Sequence, residues 1–361
     1  DQTIAVLEAV RDDAEQLDDA ELLARVYALL LRVRTLLDEN YANPAYREVM
    51  DRAYALAPQV QTPEVRAFLE GMMGQVLRSA DEYAAAVELA SGSVAPLEAA
   101  GRVGEAGFNA AITADVEASR GRFDEADRWI ARAADLAAAS GNPNVIADVE
   151  LMKGRIAAAR GELATALTHT RLGMETAEGA GNIQCTLVGN FLVADQVLRG
   201  GDAEAAIPYL ERTFELGAYC NAEAMVALGH AWLAAARARL GELDPDGFAA
   251  PLEKARAAGS RSGEASVRLH RAIAIAGTSP EDWSATFLDF ERAVALYADI
   301  GARPDHARAL HAYANALEAA GHTADGRAKL AEARVMFDEM GITPDQVAAE
   351  RRFASPAEKG S

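Results

Sequence analysis

Six histidines and two cysteines are the side chains best suited to metal or nucleophile chemistry in this 361-residue chain, and their spacing argues against both. His306 and His311 are the only close histidine pair. Five residues on a helix turn two rings away from a common face, so the pair does not make a two-ligand metal site. Cys185 and Cys220 have no Cys or His partner at zinc spacing and are too few for a disulfide framework, so they read as buried thiols in a reducing compartment. No G-x-S-x-G nucleophile elbow, phosphate-binding G-x-x-x-x-G-K-[ST] loop, G-x-G-x-x-G or H-E-x-x-H occurs. Gly259-Ser260-Arg261-Ser262-Gly263 comes nearest, but it places Arg where a nucleophile would sit and reads as a turn between units. Carboxylates are plentiful, and acid–base catalysis needs two whose environments push their pKa values apart, which spacing alone does not supply. The chemistry expected is recognition without catalysis, cofactor or metal.

The elements that would present such residues repeat. Around Ala114–Ala133 a helix runs into Gly121, whose backbone freedom suits a tight turn, and a second helix follows with Phe123, Ala126, Ile130 and Ala133 on one face. An equivalent small residue recurs at Ala53, Ser93, Ala133, Gly173, Thr213, Ala255, Ala293 and Ala333, at intervals of about 40. Turn glycines at Gly121, Gly161, Gly201, Gly241 and Gly321 keep the same register. Asn142 and Asn182 follow the linker glycines Gly141 and Gly181 and read as helix caps, as do Asn40 and Asn43 before Pro44. A two-helix unit cannot bury its apolar face alone, so the pattern predicts an all-α, right-handed superhelical solenoid of about eight two-helix repeats. Residues 19–341 form the array, residues 1–18 a lone helix left from a preceding repeat of a longer protein, and residues 342–361 a C-terminal tail that frays over Ala354–Ser361. Two insertions, Asp244–Gly247 and Gly277–Trp283, lengthen hairpin loops, either as surface excursions or as partner contacts.

The order small residue, turn glycine, aromatic two residues on, then small residues on the second helix, read at Ala114, Gly121, Phe123, Ala126 and Ala133, resembles the tetratricopeptide repeat. The period departs from that family's usual length of about 34 residues, and HEAT-like repeats of about 40 to 47 are the alternative on length. The longer units are similar in style to the helical arrays of large bacterial regulators, the MalT-like ATPases and cyclase–ATPase fusions. In tetratricopeptide arrays the first helix of each unit lines the inner surface. That resemblance assigns Asp115, Arg155 and Asp195 to one inner row, six residues before successive turn glycines. Their alternating charges form either a ligand-binding ladder or pairs that set register between units, since exposed pairs contribute only about 0–1 kcal/mol. Ten residues before the glycine stand Leu151, Phe191, Ala231 and His311; thirteen before it stand Phe108, Asp148 and Leu228. Phe108 and Phe191 are either ligand anchors or core, and the small residues of the fourth unit either pack helices or leave room for an apolar group.

A net charge of −20 sets 55 acidic against 35 basic residues and disfavours nucleic acid as a partner. The run Ala24–Leu37 is cut by Arg25, Arg32 and Arg34, so no segment is long and apolar enough to span a membrane. The sequence therefore predicts a cytoplasmic recognition module of a larger bacterial signalling or transcriptional regulator, with its effector domain elsewhere. It would bind a small molecule or protein segment in its inner groove; the alternative is a static scaffold that docks a basic or amphipathic peptide.

Overall fold

Alanine-rich, strongly helix-forming sequence is interrupted by glycine at a fixed interval, and the backbone obeys that metre. Gly101, Gly121, Gly141, Gly161, Gly181, Gly201, Gly241, Gly301, Gly321 and Gly341 all adopt positive φ, between 60° and 96°. All but Gly141 end a helix by a Schellman-type bond from the residue after it, as in Arg122 N–H to the Glu117 carbonyl at 2.8 Å and Glu162 N–H to the Ala157 carbonyl at 2.9 Å. The 40-residue repeat is thus two equal halves, each a helix of about 17 residues and a three-residue turn, with hairpin turns and linkers built alike. Asn142 and Asn182 cap the helices that follow, accepting from the backbone of Asn144 and Cys185 at 3.0 Å.

The computed structural model describes residues 2–36, 42–220, 222–278 and 280–350; Asn40 and Ala354–Ser361 lie outside them. Among the described residues there are eighteen α-helices and no strand. They are α1 (Gln2–Leu17), α2 (Ala20–Leu36), α3 (Pro44–Leu56), α4 (Pro63–Ser79), α5 (Tyr83–Ala99), α6 (Val103–Ser119), α7 (Phe123–Ser140), α8 (Pro143–Arg160) and α9 (Leu163–Gly179). There follow α10 (Ile183–Arg199), α11 (Ala203–Cys220), α12 (Glu223–Arg239), α13 (Ala249–Ala257), α14 (Arg261–Ala276), α15 (Ser284–Ile300), α16 (Arg303–Ala319), α17 (Thr323–Glu339) and α18 (Pro344–Ala349). The first helices of successive hairpins, α4 to α16 in even numbers, touch one another and make the inner layer; the second helices pack outside them. Burial follows, since α6 is covered nearly all round while α7 buries one stripe of Phe123, Ala126, Ala133, Leu136 and Ala137. All eight small residues of the 40-residue metre are buried. At Gly173 the reason is direct: a Cβ would come within 2.9 Å of the Ala147 carbonyl and the Leu151 amide on α8.

The array coils until one edge meets the other. The edge carrying the hairpin turns of the first half lies against the start of first helices roughly four and a half repeats later. Arg261 donates to the carbonyl of Asp81 at 3.2 Å and to the Glu82 carboxylate at 2.9 Å, and the Ser262 amide donates to the Asp81 carboxylate at 2.9 Å, all some 180 residues apart. Next along the seam, Ala114, Ala118, Phe123 and Ile156 share an apolar cluster with Ala307, Leu310, Phe337, Met340 and Ile342. Residues 342–350 are therefore not a free tail. Ile342 is buried, Thr343 caps α18 in a capping box, and Glu350 is buried between Arg199, at 2.7 Å, and Arg308, at 2.5 Å. Helix α1 does not stand alone either: Glu8 pairs with Arg34 of α2 at 3.0 Å and Glu15 with Arg52 of α3 at 2.7 Å.

Candidate binding face

Three adjacent first helices bring Arg78, Asp115 and Arg155 together. Asp115, 3 % exposed, accepts from Arg78 Nε on one oxygen and from Arg155 Nε on the other, each at 2.7 Å. Burial alone would favour the neutral acid, but Arg155 and Arg78 outweigh it and hold the Asp115 carboxyl down to about 2. The expected pairing of Asp115 with Arg155 is formed, 40 residues apart. Arg78 was missed by the row count because it stands three residues before its turn, not six.

The row's next member, Asp195, accepts from the Trp232 indole at 2.9 Å and lies 3.8 Å from Arg199. Phe191 packs on Trp232 with ring centroids 5.1 Å apart, and Trp232 leans on His270 at 4.5 Å, so Phe191 joins an aromatic cluster that ties three first helices together. Asp148 is half-buried and accepts from the Cys185 thiol at 3.0 Å. Burial pushes its carboxyl up to about 6, against the opposing pull of that thiol and of Arg32 and Arg78, and burial also pushes the Cys185 thiol up.

Two of the expected lining residues do not reach the inner surface. Leu151 is 1 % exposed and packs with Ala147, Ala177, Cys185 and Leu192, and Ala231 is wholly buried beneath Trp232 and its neighbours. Ten residues before the turn a side chain points between adjacent hairpins rather than inward, so both belong to the core. Leu228 is half-buried against the same cluster as Ala231, and Phe108 against the N-terminal core around Ala106, Ile112 and Leu136. His311 meets Phe337 edge-on at 6.4 Å and so faces α17, where burial lowers its pKa. Among the described residues, no group of three His, Cys, Asp or Glu side chains is placed to hold a metal ion.

Two more buried acids are each held by two arginines. Asp289 accepts from Arg268 at 2.7 Å and from Arg271 at 2.6 and 2.7 Å, and Glu350 accepts from Arg199 and Arg308, which also donate to the carbonyls of Ala158 and Ala159. On the outer side, the Asp244–Gly247 insertion forms a 3-10 turn that shortens α13 to nine residues. The gap left beside α12 is a cavity of about 620 Å³ lined by Phe214, Val226, His230, Leu233, Arg237 and Pro251.

No protein-family model matches this sequence, and no curated protein matches it significantly. Solved structures do. A Rap protein in complex with competence and sporulation factor superposes with a TM-score of 0.72 over 96 % of this chain and 100 % of its own, at 14 % identity. Aspartyl phosphate phosphatase F from Bacillus subtilis gives 0.55 over 92 % and 89 %, also at 14 % identity. The chain has the fold of these proteins. Its tetratricopeptide-like helical array is shown by that likeness, and neither neighbour is described as a MalT-like ATPase or a cyclase fusion.

Proposed function

We propose that the chain is a recognition module without catalytic activity of its own, whose inner face binds an extended peptide or a segment of another protein. The observation that carries this reading is the row of polar side chains presented inward by successive first helices: Arg78, Asp115 and Arg155 in contact, Asp148 beside Cys185, and Asp195 with Trp232. An extended chain presents its groups at regular intervals, and a stack of parallel helices offers partners at matching intervals along one groove. The Rap protein solved in complex with competence and sporulation factor supports the same reading, because its chain matches this one over nearly its whole length. No helix among the described residues is long and apolar enough to cross a membrane.

A second reading, a sensor that changes curvature when occupied, is favoured by the polar part of the seam. Contacts such as Arg261 to Glu82 exchange readily with water, so closed and open forms can differ by the few kcal/mol that one ligand supplies. Random pentapeptide mixtures passed over the immobilised chain, with retained species identified by mass, test both. Retention lost on D195N or W232A supports the inner face, and small-angle scattering with and without a retained peptide separates sensor from scaffold. Retention unaffected by either variant refutes the assignment.

A further inference from the structure

The three buried acids that each hold two arginines at 2.7 Å or less are not equivalent. At Asp289 the guanidinium of Arg271 spends Nε and one Nη on the carboxylate and Arg268 reaches it by Nη. Around Glu350 each arginine carries Nη2 to a backbone carbonyl, while Arg308 Nη1 is buried without a partner. In both groups every arginine therefore has at least one Nη engaged by the protein. At Asp115 each arginine uses Nε alone, and among the described contacts none of the four Nη nitrogens of Arg78 and Arg155 has a protein partner. None is a buried unsatisfied atom, and the two side chains are 24 % and 35 % exposed, so these nitrogens meet solvent.

A single buried carboxylate thus fixes two planar forks and leaves the trio with one excess positive charge. Arg32, exposed on α2, lies close enough to act on neighbouring Asp148. The acidic groups that face this cluster are Asp148, Asp305 from across the seam, and Asp81 from the turn that follows Arg78. Asp305 acts on Arg155 without forming an ion pair with it among the described contacts. Two preoriented guanidinium forks are a receptor for a planar oxyanion, because parallel N–H donors match the two oxygens of a carboxylate.

We infer that Arg78 and Arg155, positioned by Asp115, form a clasp for a carboxylate of the bound segment. This rests on the inner-face reading and gives that face a local preference opposite to the sign of the whole chain. The carboxylate comes either from a peptide C-terminus or from an Asp or Glu side chain.

The test uses the full chain and four random pentapeptide mixtures: free acid or C-terminal amide, each with or without Asp and Glu. Peptides bearing a carboxylate should be retained at least about tenfold over fully amidated neutral ones, the scale of one charge-assisted hydrogen-bond pair. Preference restricted to free-acid mixtures identifies the C-terminus, and preference for Glu-containing amides identifies a side chain. R78Q and R155Q should each abolish the preference, and R155K should restore part of it. Because either Gln variant leaves Asp115 half-paired, D115N/R155Q serves as the folded control: it keeps the local net charge, removes one fork, and should also lose the preference. Equal retention of carboxylate-bearing mixtures and the fully amidated neutral one, or a preference that survives all three variants, overturns the clasp and leaves the inner-face reading standing. No retention of any mixture overturns both.

Discussion

Replacing Asp115 with Asn tests how much of the inner layer depends on one buried charge. The carboxyl is held at about 2 against an ordinary value of 3.8. At 1.36 kcal/mol per unit this amounts to roughly 2–3 kcal/mol of differential stabilisation of the ionised form. The amide also turns an N–H toward a guanidinium and leaves two arginines facing each other, which raises the expected cost to about 3–5 kcal/mol. The sign follows from the lowered pKa. The contribution is complete above about pH 4, where the unfolded carboxyl is ionised, and is lost as pH falls toward 2. Urea unfolding of wild type and D115N from pH 8 to pH 3 should therefore show a constant gap down to about pH 5 that narrows below pH 4. Hydrogen exchange should place the loss in α6 and α8, and in the D115N/R155Q cycle the two changes should cost less together than the sum of each alone. A gap below about 1 kcal/mol at pH 7, or one that does not narrow in acid, would refute the argument.

Four further changes probe other parts of the structure. D148N should stabilise the chain by about 1–3 kcal/mol above pH 6 and have no effect below pH 4, because the wild-type carboxyl, raised to about 6, is penalised only once ionised; thermal melts across that range decide it. E350Q should cost about 3–5 kcal/mol and release exchange protection in residues 342–350, since it leaves Arg199 and Arg308 without their counter-charge. G121A should be worse than G141A. Both carry about 1 kcal/mol of left-handed strain, but only at residue 121 does the new methyl fall 2.5 Å from Met340 Sδ, so adding M340A should recover part of the loss in chemical unfolding. D81G should keep the turn yet cost about 1 kcal/mol through the lost cap on α14, visible as faster exchange of the Ser262 amide.

Much of the fold was legible because its signals are local. Turn glycines, the small-residue row and the asparagine caps each act within a few residues, and the helices they predict between residues 103 and 199 start and stop within about two residues of the expected places. The seam was not legible, since nothing local marks residues 180 apart as neighbours. One sign was present: position 81 carries Asp where the metre calls for glycine, and it takes φ of 63°. A residue that accepts left-handed strain usually gains a contact by it, and Asp81 gains the amide of Ser262. Counting from glycines picks out Asp115 and Arg155, which pair, and Asp195, which bonds Trp232 instead of extending their ladder, but the count of ten put Leu151 and Ala231 on the surface, because a helix face of 100° per residue does not follow a whole-number offset through a curved layer.

Open solenoids grow and shrink during evolution by gaining or losing a unit, since each unit touches only its neighbours. The seam removes that freedom. Deleting one hairpin between Arg199 and Arg261 would shift every later residue by about 40 positions and carry Glu350, Met340 and Ser262 away from Arg199, Gly121 and Asp81 together. Unit number in this array is therefore fixed by closure. Descendants of such a sequence should vary their side chains freely while keeping the count, and a designer wishing to lengthen it would have to add one full coil at a time.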